Sequence, residues 1–368
     1  MRLSTVEQNL VLLAIAALPL YLWSSGLPQI SHLLVALSWM FRSLRGRVGL
    51  PNLPIFHLLL ALIWWMSIRQ AFYGFSDQSL SVFMPPVYMI FNTLFLASIF
   101  FLFSEDPDGK NLSRIAYSVA AGAVVATGWV FVTGFSLSGA AQDLQRSIGS
   151  FNNPNQLGFY GLCLGGFAVT FLQNRTIQVW LFFLLFLIGG FMTILSLSKA
   201  AMISYIAYAF VFLRGRQLIF LGISCIVAIL VVPTLDLSGY HFVSRLQNLG
   251  LDSDDNFAAR GYWLIWEMNL NVIWGFGEGY YHSISGDEVH STLGNLFISY
   301  GLLGFLLFMS FQLLVFFSSL NSTKSIVISS SILMPYLLYG ITHNGIRFSS
   351  VWLLFGLIAF ITPKKNQP

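Results

Sequence analysis

"HSTLGNLFISYGLLGFLLF", residues 290–308, opens on a titratable side chain and then runs almost without polar chemistry. Extended to about residue 318, the run exceeds the roughly 20 apolar residues that cross a bilayer as a helix. Its surroundings repeat the pattern. The chain has 368 residues, of which 56% are hydrophobic and 9% charged, against roughly 25% charged in an ordinary soluble domain. A soluble or nucleic-acid-binding protein is excluded, and an all-α polytopic membrane protein is expected. The 35 Phe and 10 Trp suit a lipid-facing surface with aromatic belts.

Apolar runs divide residues 1–368, read as a single integral membrane domain, into about twelve spans: 8–24, 27–41, 54–72, 83–103, 115–135, 154–173, 178–196, 199–213, 217–234, 291–318, 325–342 and 348–362. The first run lacks a small-residue cleavage site and is read as a retained span. With the N-terminus inside, twelve of the eighteen Lys and Arg fall on the inner side, among them Arg42, Arg45 and Arg47 of "RSLRGR". This satisfies the positive-inside rule and places both termini in the cytoplasm. Cys163 and Cys225 sit in apolar runs and read as core residues.

Six cations remain on the outer side: Arg69, Arg146, Lys199, Arg245, Arg260 and Arg347. Arg69 reads as a span end reaching for the interface. Arg245 reads as the counter-charge of Asp252, Asp254 and Asp255. That acidic run lacks the Gly and distal Glu of a calcium loop, so no metal site is expected. Of the other four, Arg146, Lys199 and Arg347 lie near outer-facing helix starts, whose free N–H groups and dipoles favour anions. Arg146 precedes "NNPNQLG", where Asn153 suits the N-cap and Pro154 the first helical position. Lys199 opens "KAAM", Arg347 precedes the last span, and His290 opens the tenth.

The longest polar segment is the outer loop 235–290. Within it Arg260, Glu267 and Asn271 recur at helical spacing among Trp, Leu and Ile. That predicts an amphipathic helix over 257–273, lying at the interface. "GFGEGYY" follows, and Gly275, Gly277 and Gly279 permit either a plain turn or close approach to a ligand or another backbone.

"RSIGSFNNPNQLGFYG", "SLSKAAM", "ARGYWLIWEMNLNVIWGFGEGYY" and "HSTLGNLFISYGLLGFLL", in that order, resemble the motifs of the O-antigen ligase and O-antigen polymerase superfamily of bacterial lipid-linked glycan transferases. The resemblance runs from about Arg146 to Leu307. It implies a GT-C-like helical membrane fold in the inner membrane, with the site facing the periplasm. It also implies an inverting glycosyltransferase that uses neither metal nor other cofactor. The donor would be a glycan on undecaprenyl diphosphate. The acceptor would be lipid A–core for a ligase, which the span layout favours, or another lipid-linked glycan for a polymerase. Carried over position by position, Arg146 and Arg260 bind the diphosphate and His290 is essential. This chain departs from the family at Ser291, where asparagine is usual, and at Lys199, where arginine is common.

The residue chemistry fits those roles. A lipid diphosphate leaving group needs charge stabilisation, which Arg146 and Arg260 provide as a clamp, with Lys199 and Arg347 as auxiliaries. A sugar hydroxyl needs a base, and imidazole is the natural one near neutral pH. Competing readings stay open. His290 also fits a helix-capping or hydrogen-bonded structural residue, with His282 as a second candidate base. His343 in "THNGIR", together with Asn153 and Asn155, is a possible substrate contact; His32 and His57 read as structural. A transporter of lipid-linked sugars is the alternative class. It would carry ionisable residues deep in its spans, and the sequence shows almost none.

Overall fold

The computed structural model describes residues 3–23, 28–77, 83–106, 109–132, 148–172, 177–208, 261–285 and 289–361. Among them every regular element is an α-helix. Helices overlap eleven of the twelve apolar runs, that at 199–213 only over Lys199–Ile206, and the run 217–234 lies outside the described residues. Four described helices contain a segment both long and apolar enough to cross a membrane: Pro54–Tyr73, Met84–Ser104, Asn111–Val132 and Thr292–Thr323. Large apolar side chains on them face outward, including Trp64 and Phe72, 69% and 68% exposed. Such a surface belongs in lipid, and the chain is a helical membrane protein.

Its contacts divide into two compact units. The first comprises residues 1–122, 257–324 and 340–368. Its first helices are α1 (Leu3–Ala16), α2 (Ile30–Leu44), α3 (Pro54–Asp77), α4 (Met84–Ser104) and the start of α5 (Asn111–Val132). The first span is therefore displaced from 8–24: α1 begins at Leu3 and gives way to turns after Ala16. The displacement has an electrostatic partner. Glu7 on α1 receives Arg42 at 2.7 Å and also Arg45, while Glu105 after α4 receives Arg42 at 3.2 Å and Arg47 at 2.9 Å. The "RSLRGR" cations are thus tied into one network, and the Arg42 guanidinium also lies 3.3 Å over the Phe101 ring. His32 accepts from the Gln29 N–H at 2.9 Å and packs on Phe91, a structural role as its position suggested.

The second unit comprises residues 123–256 and 325–339. In it α6 (Pro154–Leu172), α7 (Val179–Leu195) and α8 (Lys199–Ile206) pack on one another. The "NNPN" reading holds: Asn153 Oδ1 accepts from the Gln156 N–H at 2.9 Å, and Pro154 is the first helical residue. Glycines on α6 permit very close packing. A Cβ at Gly161 would sit 2.6 Å from the Gly189 carbonyl of α7, the small-residue contact that drives helix association in lipid.

Residues 261–273 do not form the single amphipathic helix expected over 257–273. They make a turn, α9 (Leu264–Glu267), a second turn and α10 (Asn271–Trp274). Asn269 between them takes a left-handed φ of 47°, which ends helical hydrogen bonding there. The amphipathic division survives. Leu264 and Met268 pack with Tyr281, Val289 and Ile298, while Trp266 and Leu270 are 89% and 86% exposed. Next come α11 (Tyr280–Ser285), α12 (Thr292–Thr323), α13 (Ile326–Thr342) and α14 (Ser349–Phe360).

The opening stretch becomes α12, and it is not one smooth helix. Gly301, at φ 67° and ψ −170°, breaks it nine residues in. A break at membrane depth leaves carbonyls without their helical partners, which lipid cannot satisfy. Here they are satisfied by protein. Phe276 N–H donates to Ile298 O at 2.8 Å, Gly277 N–H to Ser299 O at 2.9 Å, and the Trp65 indole to Tyr300 O at 2.7 Å. "GFGEG" is therefore a close approach to another backbone. Arg69 is drawn into the same construction: it donates to Gly275 O at 2.6 Å from within α3, instead of extending to the interface.

Candidate functional site

Each expected site residue is set by local structure. Ser291 is the N-cap of α12, and its Oγ accepts from the Gly294 N–H at 2.9 Å. The side chain is fully buried, with Gly340 O at 3.0 Å and the Tyr262 hydroxyl at 2.5 Å. Tyr262 in turn donates to Ile341 O. Serine here is a structural cap, a task asparagine performs equally well. Ser291→Ala is expected to cost about 1–2 kcal/mol, read as a lowered unfolding temperature of the purified protein.

His290 immediately precedes this cap. It is exposed, and its ring makes no hydrogen bond among the described residues. His290 is therefore not the helix cap, because Ser291 does the capping. A locked Ser291 leaves the preceding side chain at a defined helix entrance.

The start of α12 is laced to the turn between α13 and α14. Thr292 N–H donates to His343 O at 3.2 Å, its hydroxyl donates to the same oxygen at 3.0 Å, and Gly345 N–H donates to Thr292 Oγ1 at 2.9 Å. The far side of that turn is held as firmly. Ile346 O accepts from Trp352 Nε1 at 2.7 Å and from Asn92 Nδ2 at 3.4 Å, and Ser349 donates to Asn92 Oδ1 at 3.0 Å. Arg347 and Asn344 therefore sit on a pinned segment. The His343 ring nitrogen Nδ1 pairs with Thr342 Oγ1 at 3.0 Å. His282 is exposed on α11.

In the second unit, Asn153 is engaged as the α6 cap, and Asn155 O accepts from the Tyr339 hydroxyl at 3.0 Å. Lys199 is the first residue of α8, as its motif suggested, and is 8% exposed. Arg146 and Arg260, together with Arg245, lie outside the described residues.

Sequence reasoning passed over a well-organised polar cluster. Glu278, the acid inside "GFGEGYY", receives Asn295 Nδ2 on both carboxylate oxygens at 3.1 Å and the Tyr300 hydroxyl on Oε2 at 3.1 Å. Its own N–H donates to Gln70 Oε1 at 2.9 Å, and Ser299 supports Asn295 at 2.9 Å. Glu278 and Asn295 line a cleft of about 350 Å³, counting its open mouth, with Tyr88, Tyr300, Asn344 and Arg347. One local signal marked it: an acid between glycines in an otherwise apolar stretch. Its side-chain partners come from α12, 17 and 22 residues on, and its backbone partner from α3, 208 residues away.

A scan against protein-family models finds no match, and a search of curated proteins finds none. The fold and the site define a helical membrane protein with a charged polar cleft beside a broken helix.

Proposed function

We propose that this protein is an inverting glycosyltransferase that moves a glycan from undecaprenyl diphosphate to an acceptor hydroxyl at the periplasmic face of the bacterial inner membrane. In this reading the chain has twelve spans in a GT-C-like arrangement, with both termini cytoplasmic. The preferred acceptor is lipid A–core, which makes it an O-antigen ligase.

The observation that carries the proposal is the lacing of Thr292 to His343 and Gly345. It joins two of the anticipated segments, those bearing His290 and Arg347, through bonds that neither segment alone requires. His290 takes the proton from the acceptor hydroxyl, whose oxygen attacks the anomeric carbon as the bond to the diphosphate breaks. Undecaprenyl diphosphate leaves with the bonding electrons, and within the unit that bears His290 its charge is held by Arg260, with Arg347 as an auxiliary. Inversion follows from a single displacement.

A glycan gel of a deletion strain tests the assignment. A ligase is expected to lose every long chain from lipid A–core while lipid-linked chains accumulate. Single capped repeat units would identify a polymerase. An unchanged gel, with the gene's product present in the parent strain, would remove both.

A further inference from the structure

We infer that the cleft lined by Glu278, Asn344 and Arg347 binds vicinal hydroxyl groups on the edge of a sugar ring. Among the described residues, Asn344 Oδ1 is buried there without a hydrogen-bond partner. A buried acceptor left so costs about 1–3 kcal/mol, and a bound donor group would recover it. Glu278 adds a carboxylate, an acceptor with up to four lone-pair directions, whose orientation is set by Asn295 and Tyr300. Arg347 supplies donors at the same wall.

Acceptors beside donors suit a group that both gives and takes hydrogen bonds. Hydroxyls do; a phosphate set against Glu278 and Asn344 would face a carboxylate and a bare acceptor, whereas Arg347, with five N–H donors, has enough for a ring hydroxyl in the cleft and for diphosphate oxygens outside it. The remaining lining includes Tyr88, Met66 and Met89, apolar surface for the C–H face of a ring. A metal ion fits poorly, since the carboxylate is already turned to an amide and a phenol and shares the cleft with an arginine. Glu278 is on this view a positioning residue that fixes one sugar, and the sugar belongs either to the donor glycan or to the acceptor. The kinetic arm of the test rests on the transferase reading above; the binding arm does not.

The full chain in lipid nanodiscs would be applied to an array of simple hexoses and O-polysaccharide fragments, beside Glu278→Gln and Asn344→Leu. Wild type is expected to bind a subset of these glycans, and each variant to lose at least tenfold. Asn344 Oδ1 has no partner to forfeit among the described residues, so Asn344→Leu decides the matter if Glu278→Gln fails to fold. In transfer assays Asn344→Leu should raise KM at least tenfold for one substrate, with kcat within about twofold. A raised KM for the lipid-linked donor, or for the acceptor, identifies the sugar's source. Absence of glycan binding by wild type, or wild-type binding by Asn344→Leu, overturns the inference. Array binding lost in the variants, with no transfer by wild type, would sink the transferase reading and leave the sugar cleft standing.

Discussion

Gly301→Ala is expected to abolish accumulation of folded protein. Gly301 holds φ at 67°, and a Cβ there would lie 2.2 Å from Ile273 O and 2.6 Å from the Gly275 nitrogen. Both contacts are backbone, so no rotamer change relieves them. Strain of about 1–3 kcal/mol at this positive-φ, extended-ψ conformation adds to overpacking of about 1–3 kcal/mol. The break also exposes a second cost. Shifting α12 to clear the clash pulls Ile298 O and Ser299 O from Phe276 and Gly277, leaving orphan carbonyls in the membrane. Gly275→Ala should behave alike, because its Cβ would meet Ser299 O at 2.4 Å. Gly128→Ala is the control: it lies within α5 with nothing inside 4 Å, so a stability change within about 1 kcal/mol is expected. Fluorescence-detected size exclusion of tagged variants reads all three. A monodisperse Gly301→Ala peak at the wild-type level would mean that the kink is not required.

His290→Ala is expected to lower glycan transfer by at least a hundredfold while the protein accumulates and unfolds as wild type does. A positioned general base contributes roughly 10²–10⁴ to rate. His290 is exposed and gives up no described hydrogen bond, so the change in stability should stay within about 0.5 kcal/mol. This separates it from Ser291→Ala, which touches the cap one residue on and should act through stability. His282→Ala should retain transfer. Product formation from purified protein, lipid-linked donor and acceptor measures both. Near-wild-type transfer by His290→Ala would remove the base assignment, and loss in His282→Ala alone would move it to the exposed histidine of α11.

The features that were legible in the sequence are local ones. Asn153 and Pro154 could be read as a helix start because an N-cap bonds only two or three residues ahead. The helix start at Lys199 was legible in the same way, within a few residues. The 257–273 segment was legible in its apolar pattern but not in its backbone. Periodicity reports which side chains face lipid, and it is blind to a left-handed residue such as Asn269 that divides one helix into two turns.

Arg69 and Glu278 were misjudged or passed over for another reason. Arg69 donates to a carbonyl 206 residues away, and Glu278 N–H donates to a glutamine 208 residues away. No window along the chain contains such pairs. "HSTLGNLFISYGLLGFLLF" by itself determined that an apolar helix runs through the membrane from an entrance marked by His290, because burying that much apolar surface admits few other outcomes. Only the tertiary structure decided that the helix breaks at Gly301. There the carbonyls freed by the break need donors, and they find them in the glycine segment that also delivers Glu278 to its cleft.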